Sequence, residues 1–259
     1  MTDKILCQRD GHVATVIINR PEKRNALDSE SWAALGDIFE ELSKDENLRC
    51  IVIAGAGGKA FGSGNDITEF STRRANADQV KSYNAITGRA IQAIENCIHP
   101  IVARIEGYCM GGGLEIALAC DIRIAADNTR YGIPVKNMGI FLDPALADTL
   151  VHAVGRAVAL ELVLEGRIYE SEDALARGLV TKVVPVAALD DAVAESVANI
   201  TAGAPLAARF NKRAVRRVSR ETEADDAMLS HAASYGDTED YHSAYGAFLE
   251  KKKAEFKGR

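Results

Sequence analysis

Short apolar runs rich in β-branched residues recur through the first two thirds of the chain. They are HVATVII (12–18), RCIVI (49–53), IVARI (101–105), DIRIA (121–125) and VTKVV (180–184), each bounded by Gly, Pro, Asn or Asp. That pattern predicts strands. Between the first two, Trp32, Leu35, Phe39 and Leu42 repeat at the spacing of one helix face. Asp28 stands before them as an N-cap, and Glu30 suits the positive end of the helix dipole. Strands alternating with helices predict an α/β architecture. After Pro185 the strand pattern stops, and residues 187–257 are predicted as successive helices. The last, from about Asp237 to Lys257, carries Tyr241, Tyr245, Phe248 and Leu249 along one face, for packing on the body of the protein or on another subunit. There is no exact internal repeat and no low-complexity linker.

With 259 residues, 47 % of them hydrophobic, the chain has material for one sizeable core, or one core and a small appended unit. Its formal net charge is −6, with both signs mixed along most of the length. A general nucleic-acid-binding or acidic-membrane surface is therefore not expected. No apolar run approaches the ~18 residues that cross a bilayer, and MTDKILCQRD at the N-terminus lacks the apolar centre of a signal peptide. A cytoplasmic location follows as the expectation. Five scattered cysteines (Cys7, Cys50, Cys97, Cys109, Cys120) suit buried small apolar positions rather than disulfides or zinc. His12, His99, His152, His231 and His242 show no ligand spacing, so no metal is expected, and His99 before Pro100 reads as a strand-edge residue.

Two glycine-rich turns stand out. GAGGKAFGSGND (55–66) contains Gly55-x-Gly57-x-x-Ala60, but Gly62 to Asn65 prolong the turn where a dinucleotide-binding helix should open. A phosphate loop also fails, because Ala60 rather than Ser or Thr follows Lys59. The second turn, GYCMGGGLE (107–115), follows IVARIE and leads into an apolar helical segment, LEIALAC. Glycine there allows either another group to approach free backbone N–H donors or a helix to pack closely on a strand. Two such turns also suit a pair of N–H donors to one developing oxyanion. Glu115, one turn beyond Gly112, is an acid or base candidate; its structural alternative is a buried ion pair with Arg123.

At these residues the chain resembles the crotonase, or enoyl-CoA hydratase/isomerase, superfamily over essentially its whole length. The resemblance rests on INRPEKRNALD (18–28), KAFGSGNDITEF (59–70), IEGYCMGGGLEIALACDIRIAADNTRYGIP (105–134), VGRAVALELVLEGRIYESEDALARGLVTKVV (154–184) and the basic tail FLEKKKAEFKGR. It implies a spiral of repeated ββα units over residues 1–200 and a helical trimerisation region over 201–259. Homotrimers or dimers of trimers and an acyl-CoA substrate are implied too, with no separate cofactor because coenzyme A is part of the substrate.

Residue by residue, the resemblance places the oxyanion-hole donors on Asn65 and Gly112. Coenzyme A and substrate contacts fall on Lys23, Arg24, Ala26, Ser63, Asp66 and Ile67, with Lys253 or Lys257 reaching over from a neighbouring subunit; the lysines otherwise read as solvated surface charge. Typical hydratases of the family carry two glutamates. The first maps to Glu115, but the second position holds Val135, which neither binds water nor carries a proton. Asp143 occupies the place of an aspartate that moves a proton in enoyl- and dienoyl-CoA isomerases and is the nucleophile of 4-chlorobenzoyl-CoA dehalogenase; its structural alternative is the N-cap of a helix opening at Pro144. Phe141 and Leu142 are expected to narrow the acyl pocket. Hydration or double-bond isomerisation through an enolate is the function implied. A dehalogenase-like hydrolase using Asp143 and a binding or assembly protein that has lost catalysis are the alternatives.

Overall fold

The computed structural model describes residues 3–218 and 238–259. All five predicted strands occur and join one six-stranded sheet. An unpredicted strand, β1 (Ile5–Asp10), forms its edge, antiparallel to β2 (Val13–Ile18). Beyond β2 the sheet runs parallel through β3 (Cys50–Gly55), β5 (Ile101–Ile105), β7 (Ile122–Ala126) and β10 (Lys182–Val184). Parallel strands are covered on both faces, which explains why these runs are mostly apolar rather than strictly alternating. One face packs against α1 (Ser29–Leu42), α3 (Ala77–Asn96) and α4 (Gly112–Ala119) through Trp32, Leu35, Phe39, Ile91, Ile94 and Leu114. On the other, Val52, Val102 and Ile124 meet Leu189, Ala192 and Val193 of α7 (Leu189–Thr201). Asp28 caps α1 as expected, accepting from Ser31 N at 2.8 Å.

A second sheet went unpredicted. It contains β4 (Ala60–Gly62), β6 (Tyr108–Met110), β8 (Arg130–Gly132) and β9 (Ile168–Glu170), each three residues long, in that order. The chain enters the large sheet, crosses to the small one and then forms a helix, three times over: β3–β4–α3, β5–β6–α4 and β7–β8–α5 (Pro144–Leu160, broken at Gly155). This is the spiral of repeated ββα units that the resemblance implies. Both glycine-rich segments follow a long apolar strand, as expected, and each contains a short strand of the second sheet, β4 within 55–66 and β6 within 107–115.

In the C-terminal part, α8 (Pro205–Val218) docks through Lys212 and Arg216, whose cationic groups lie 2.8 and 2.7 Å from Asp121 at the end of α4. The helix predicted over 237–257 is shorter. It spans Glu239–Leu249 as α9, the last described helix. Lys251 takes a left-handed φ of 54°, Lys252 N bonds back to Ala247 O at 2.9 Å, and the non-helical tail donates from Lys257 N and Gly258 N to the buried Asp240 carboxylate at 2.6 and 3.0 Å. Lys253 and Lys257 therefore lie on this folded-back tail rather than on a helix. His231 and the side chains of Tyr241, His242, Tyr245, Phe248 and Leu249 lie outside the described residues. Among the described residues, no helix is long and apolar enough to cross a membrane.

Two smaller expectations are corrected. Cys7 is exposed on the edge strand, while the other four cysteines are buried. His99 is fully buried rather than at an open strand edge, and burial pushes its pKa down to about 4, so it is held neutral.

Candidate active site

The segments leaving the carboxyl ends of β4, β6 and β8 open onto one cavity of about 750 Å³. Residues 63–65, 110–112 and 133–135 form its floor. Carboxyl ends of neighbouring parallel strands are where α/β folds expose unpaired backbone groups to a ligand.

Backbone contact joins the first two segments. Gly64 has φ 97°, and a Cβ there would lie 3.2 Å from Met110 O and 3.3 Å from Gly112 N. In the glycine triplet, Gly111 takes φ 50° and ψ −122°, closed to residues with a Cβ. A Cβ on Gly112 would stand 2.7 Å from the Trp32 ring, and one on Gly113 would be 2.2 Å from Gly62 O. Close packing thus requires the last two glycines. The same packing leaves the Gly112 N–H at the first turn of α4, where no intrahelical acceptor exists. Asn65 forms a parallel bridge with Leu27, which bonds to Gly64 O and Asp66 N, both at 2.8 Å. In that register the N–H of Asn65 itself points away from Leu27. Its side chain is also held, with Oδ1 accepting from Trp32 Nε1 at 2.8 Å.

Glu115 and Asp143 both reach the cavity. Burial pushes the Glu115 pKa up to about 8, helped by the negative charges of Asp143 and Glu95. Its expected alternative partner is engaged elsewhere: Arg123 is buried and donates to Leu179 O at 2.9 Å and Cys120 O at 3.0 Å. Asp143 opens α5, its carbonyl accepting from Ala147 N at 2.9 Å, so the helix-start position is real. Its carboxylate nevertheless meets Asn84 Nδ2 at 3.1 Å across the cavity wall. Glu95 was missed from the sequence. It lines the cavity on α3, accepting from Thr149 Oγ1 at 2.9 Å, and its place four residues after buried Ile91 was an available signal.

Apolar side chains form the rest of the wall. Val135, Ile67, Phe70, Met138 and Leu142 are among them. Phe141 stands at the mouth 94 % exposed and takes little of the interior, whereas Leu142 is half-buried against the core. Ser63 is on the cavity wall, bracketed by backbone: its N–H donates to Arg24 O at 3.1 Å and its hydroxyl to Lys23 O at 3.4 Å. Lys23 and Arg24, whose carbonyls hold Ser63, are exposed, and Ala26 is buried. Asp66 does not line the cavity. It is buried, and its carboxylate binds Arg20 at 2.9 Å and the Thr68 hydroxyl at 2.7 Å, bracing the loop that carries Asn65. Lys253 and Lys257 are exposed away from this cavity, Lys257 lying 3.8 Å from Glu239. Among the described residues, no group of three His, Cys, Asp or Glu is placed to hold a metal ion.

Comparison with known proteins gives one consistent result. Residues 8–259 match the family described as Enoyl-CoA hydratase/isomerase. The chain is 32 % identical to the short-chain-enoyl-CoA hydratase of Clostridium acetobutylicum over 99 % of both chains. It is 34 % identical to the (E)-benzylidenesuccinyl-CoA hydratase of Thauera aromatica, over 95 % of this chain and 96 % of that protein. A crystal structure of an enoyl-CoA hydratase/carnithine racemase from Magnetospirillum magneticum superposes with a TM-score of 0.97 at 39 % identity, covering 100 % of this chain and 97 % of that one.

Proposed function

The chain belongs to the enoyl-CoA hydratase/isomerase family as an enzyme acting on acyl-CoA, and we propose that it adds water across the double bond of an enoyl-CoA by way of a thioester enolate. The thioester oxygen rests on the N–H groups of Asn65 and Gly112. As electrons move onto it, these fixed donors stabilise charge that the ground state lacks. Asp143 takes a proton from a water whose oxygen bonds to the β-carbon. Glu115, kept largely protonated at neutral pH by its surroundings, gives its proton to the α-carbon. The proton gathered by Asp143 then restores Glu115, so one water is added and nothing else changes.

The observation that carries this reading is the meeting of Glu115 and Asp143 in the cavity floored by Gly64, Asn65, Gly111 and Gly112. Coenzyme A enters past Ser63 and Ile67 and contacts Lys23, Arg24 and Ala26. Lys253 and Lys257 serve a neighbouring subunit in a trimer or paired trimers assembled through residues 201–259. Val135 favours a second reading, double-bond isomerisation. An apolar group where a second glutamate would hold water suits a reaction that only moves a proton, from beside the double bond to another carbon.

Incubation of an enoyl-CoA panel in deuterated water, with Glu115→Gln and Asp143→Asn beside wild type, separates the two. Hydration that needs both carboxylates supports the first reading. Deuterium uptake without a hydroxyl product supports the second, and binding without either reaction refutes both.

A further inference from the structure

The donor pair has a support that neither the family resemblance nor the proposed chemistry assigns. Trp32, in the second turn of α1, is fully buried and is the only tryptophan in the chain. Its indole meets both glycine turns. Nε1 donates to Asn65 Oδ1 at 2.8 Å, and the ring atoms Cζ2 and Cη2 lie 2.7 and 3.3 Å from where a Cβ on Gly112 would sit. Gly112 and Asn65 are themselves close, since the same Cβ position is 3.5 Å from Asn65 Oδ1. One rigid aromatic group therefore sets the height of the α4 start and the direction of the Asn65 loop together.

The residues flanking Asn65 are held by the bridge to Leu27 and by the Asp66 carboxylate on Arg20, whereas the Asn65 side chain is held by Trp32. The amide of Asn65 points away from its bridge to Leu27, and its neighbour Gly64 is at a positive φ. A hydrogen bond to Asn65 and a ring contact at Gly112 replace the rigidity that the glycines give up. We propose that Trp32 is a positioning residue that holds the Asn65 and Gly112 amides at one spacing, so that both meet the same oxygen. It does not touch the substrate. This inference rests on the proposed use of the two amides as an oxyanion hole.

The test is a cycle of Trp32→Phe, Asn65→Ala and the double variant, assayed with crotonyl-CoA. Asn65→Ala keeps the backbone N–H and removes only the acceptor for the indole. Each single variant is expected to lower kcat by roughly 10- to 100-fold, as a displaced donor does, with KM changed by less than about twofold. The double variant should be no slower than the slower single one. Losses that multiply, or a Trp32→Phe enzyme with wild-type kcat, overturn the proposal. If Trp32→Phe does not fold, Asn65→Ala alone decides: a fall in kcat at constant KM together with a shifted Trp32 fluorescence supports the link, and unchanged fluorescence overturns it. If wild type turns over no enoyl-CoA, the proposed reaction fails separately. Titration with acetoacetyl-CoA then decides the link: a change in Trp32 emission that Asn65→Ala abolishes supports it, and an unresponsive emission overturns it.

Discussion

Replacing Glu115 with Gln removes a carboxyl that folding makes harder to ionise, and the effect on stability should depend on pH with a definite sign. Below about pH 4.5, the ordinary value for Glu, the group is protonated in the folded and unfolded chains alike and contributes nothing to the difference. Between 4.5 and about 8 the unfolded chain releases this proton while the folded chain retains it, so wild type loses stability as pH rises. Above about 8 both forms are ionised and the loss is complete. At about 1.4 kcal/mol per pH unit the ceiling is about 5 kcal/mol. The carboxyl lines a solvent-accessible cavity, which reduces this to roughly 2–4 kcal/mol. Gln carries no such charge. Urea unfolding of both proteins from pH 5 to 9, with m unchanged, should show near-equal stability at pH 5 and a variant more stable by roughly 2–4 kcal/mol at pH 9. Titrating groups that do not interact with Glu115, His99 included, are common to both and cancel in the difference. A pH-independent difference would refute the assignment of a raised pKa to Glu115, whatever happens to activity.

Three further outcomes are expected. Asp121→Ala strips the shared partner from Lys212 and Arg216 and should destabilise the protein by ~3–5 kcal/mol in equilibrium unfolding; a loss under ~1 kcal/mol would mean that the bonds of Lys212 to His99 O and of Arg216 to Glu95 O and Ala119 O hold α8 without it. Gly113→Ala would push a methyl to 2.2 Å from Gly62 O, backbone against backbone, so soluble yield or Tm should fall sharply, and a variant with wild-type Tm would contradict the packing. His99, fully buried with its pKa near 4 against an ordinary 6.5, should cost wild type about 3 kcal/mol as pH falls from 6.5 to 4, because the unfolded chain takes up a proton there and the folded chain does not. His99→Phe should flatten that acid slope, and an unaltered slope would show that the imidazole is not the group responsible.

Legibility from sequence followed element length and burial. The parallel strands are apolar on both faces, and α1 carries a four-residue apolar repeat behind a true cap, so both could be recognised locally. Strands of three residues, such as Ala60–Gly62 and Tyr108–Met110, are too short to show an alternation, and the second sheet was invisible for that reason. At the cavity, the glycine turns and Glu115 announced themselves because glycine and an isolated carboxylate are costly in an apolar setting. Glu95 and Trp32 did not, since each sits on an ordinary amphipathic helix and gains its place only from a distant contact. The tail beyond Leu249 was misjudged because its fold-back depends on Asp240 accepting two amides from residues 257 and 258, a pairing no local pattern encodes.

The placement of three cavity segments at the ends of β4, β6 and β8 divides the site into a fixed part and a variable one. Each belongs to a different ββα unit, and the first two are locked together by contacts between main chains, which tolerate almost no change. The third meets the cavity through side chains: Val135 stands there, and Asp143 follows on the run into α5. On the proposed reading, drift confined to that third unit alters the fate of the enolate while leaving the means of holding it intact. The holding of the substrate and the choice of reaction are thereby assigned to separate parts of one scaffold.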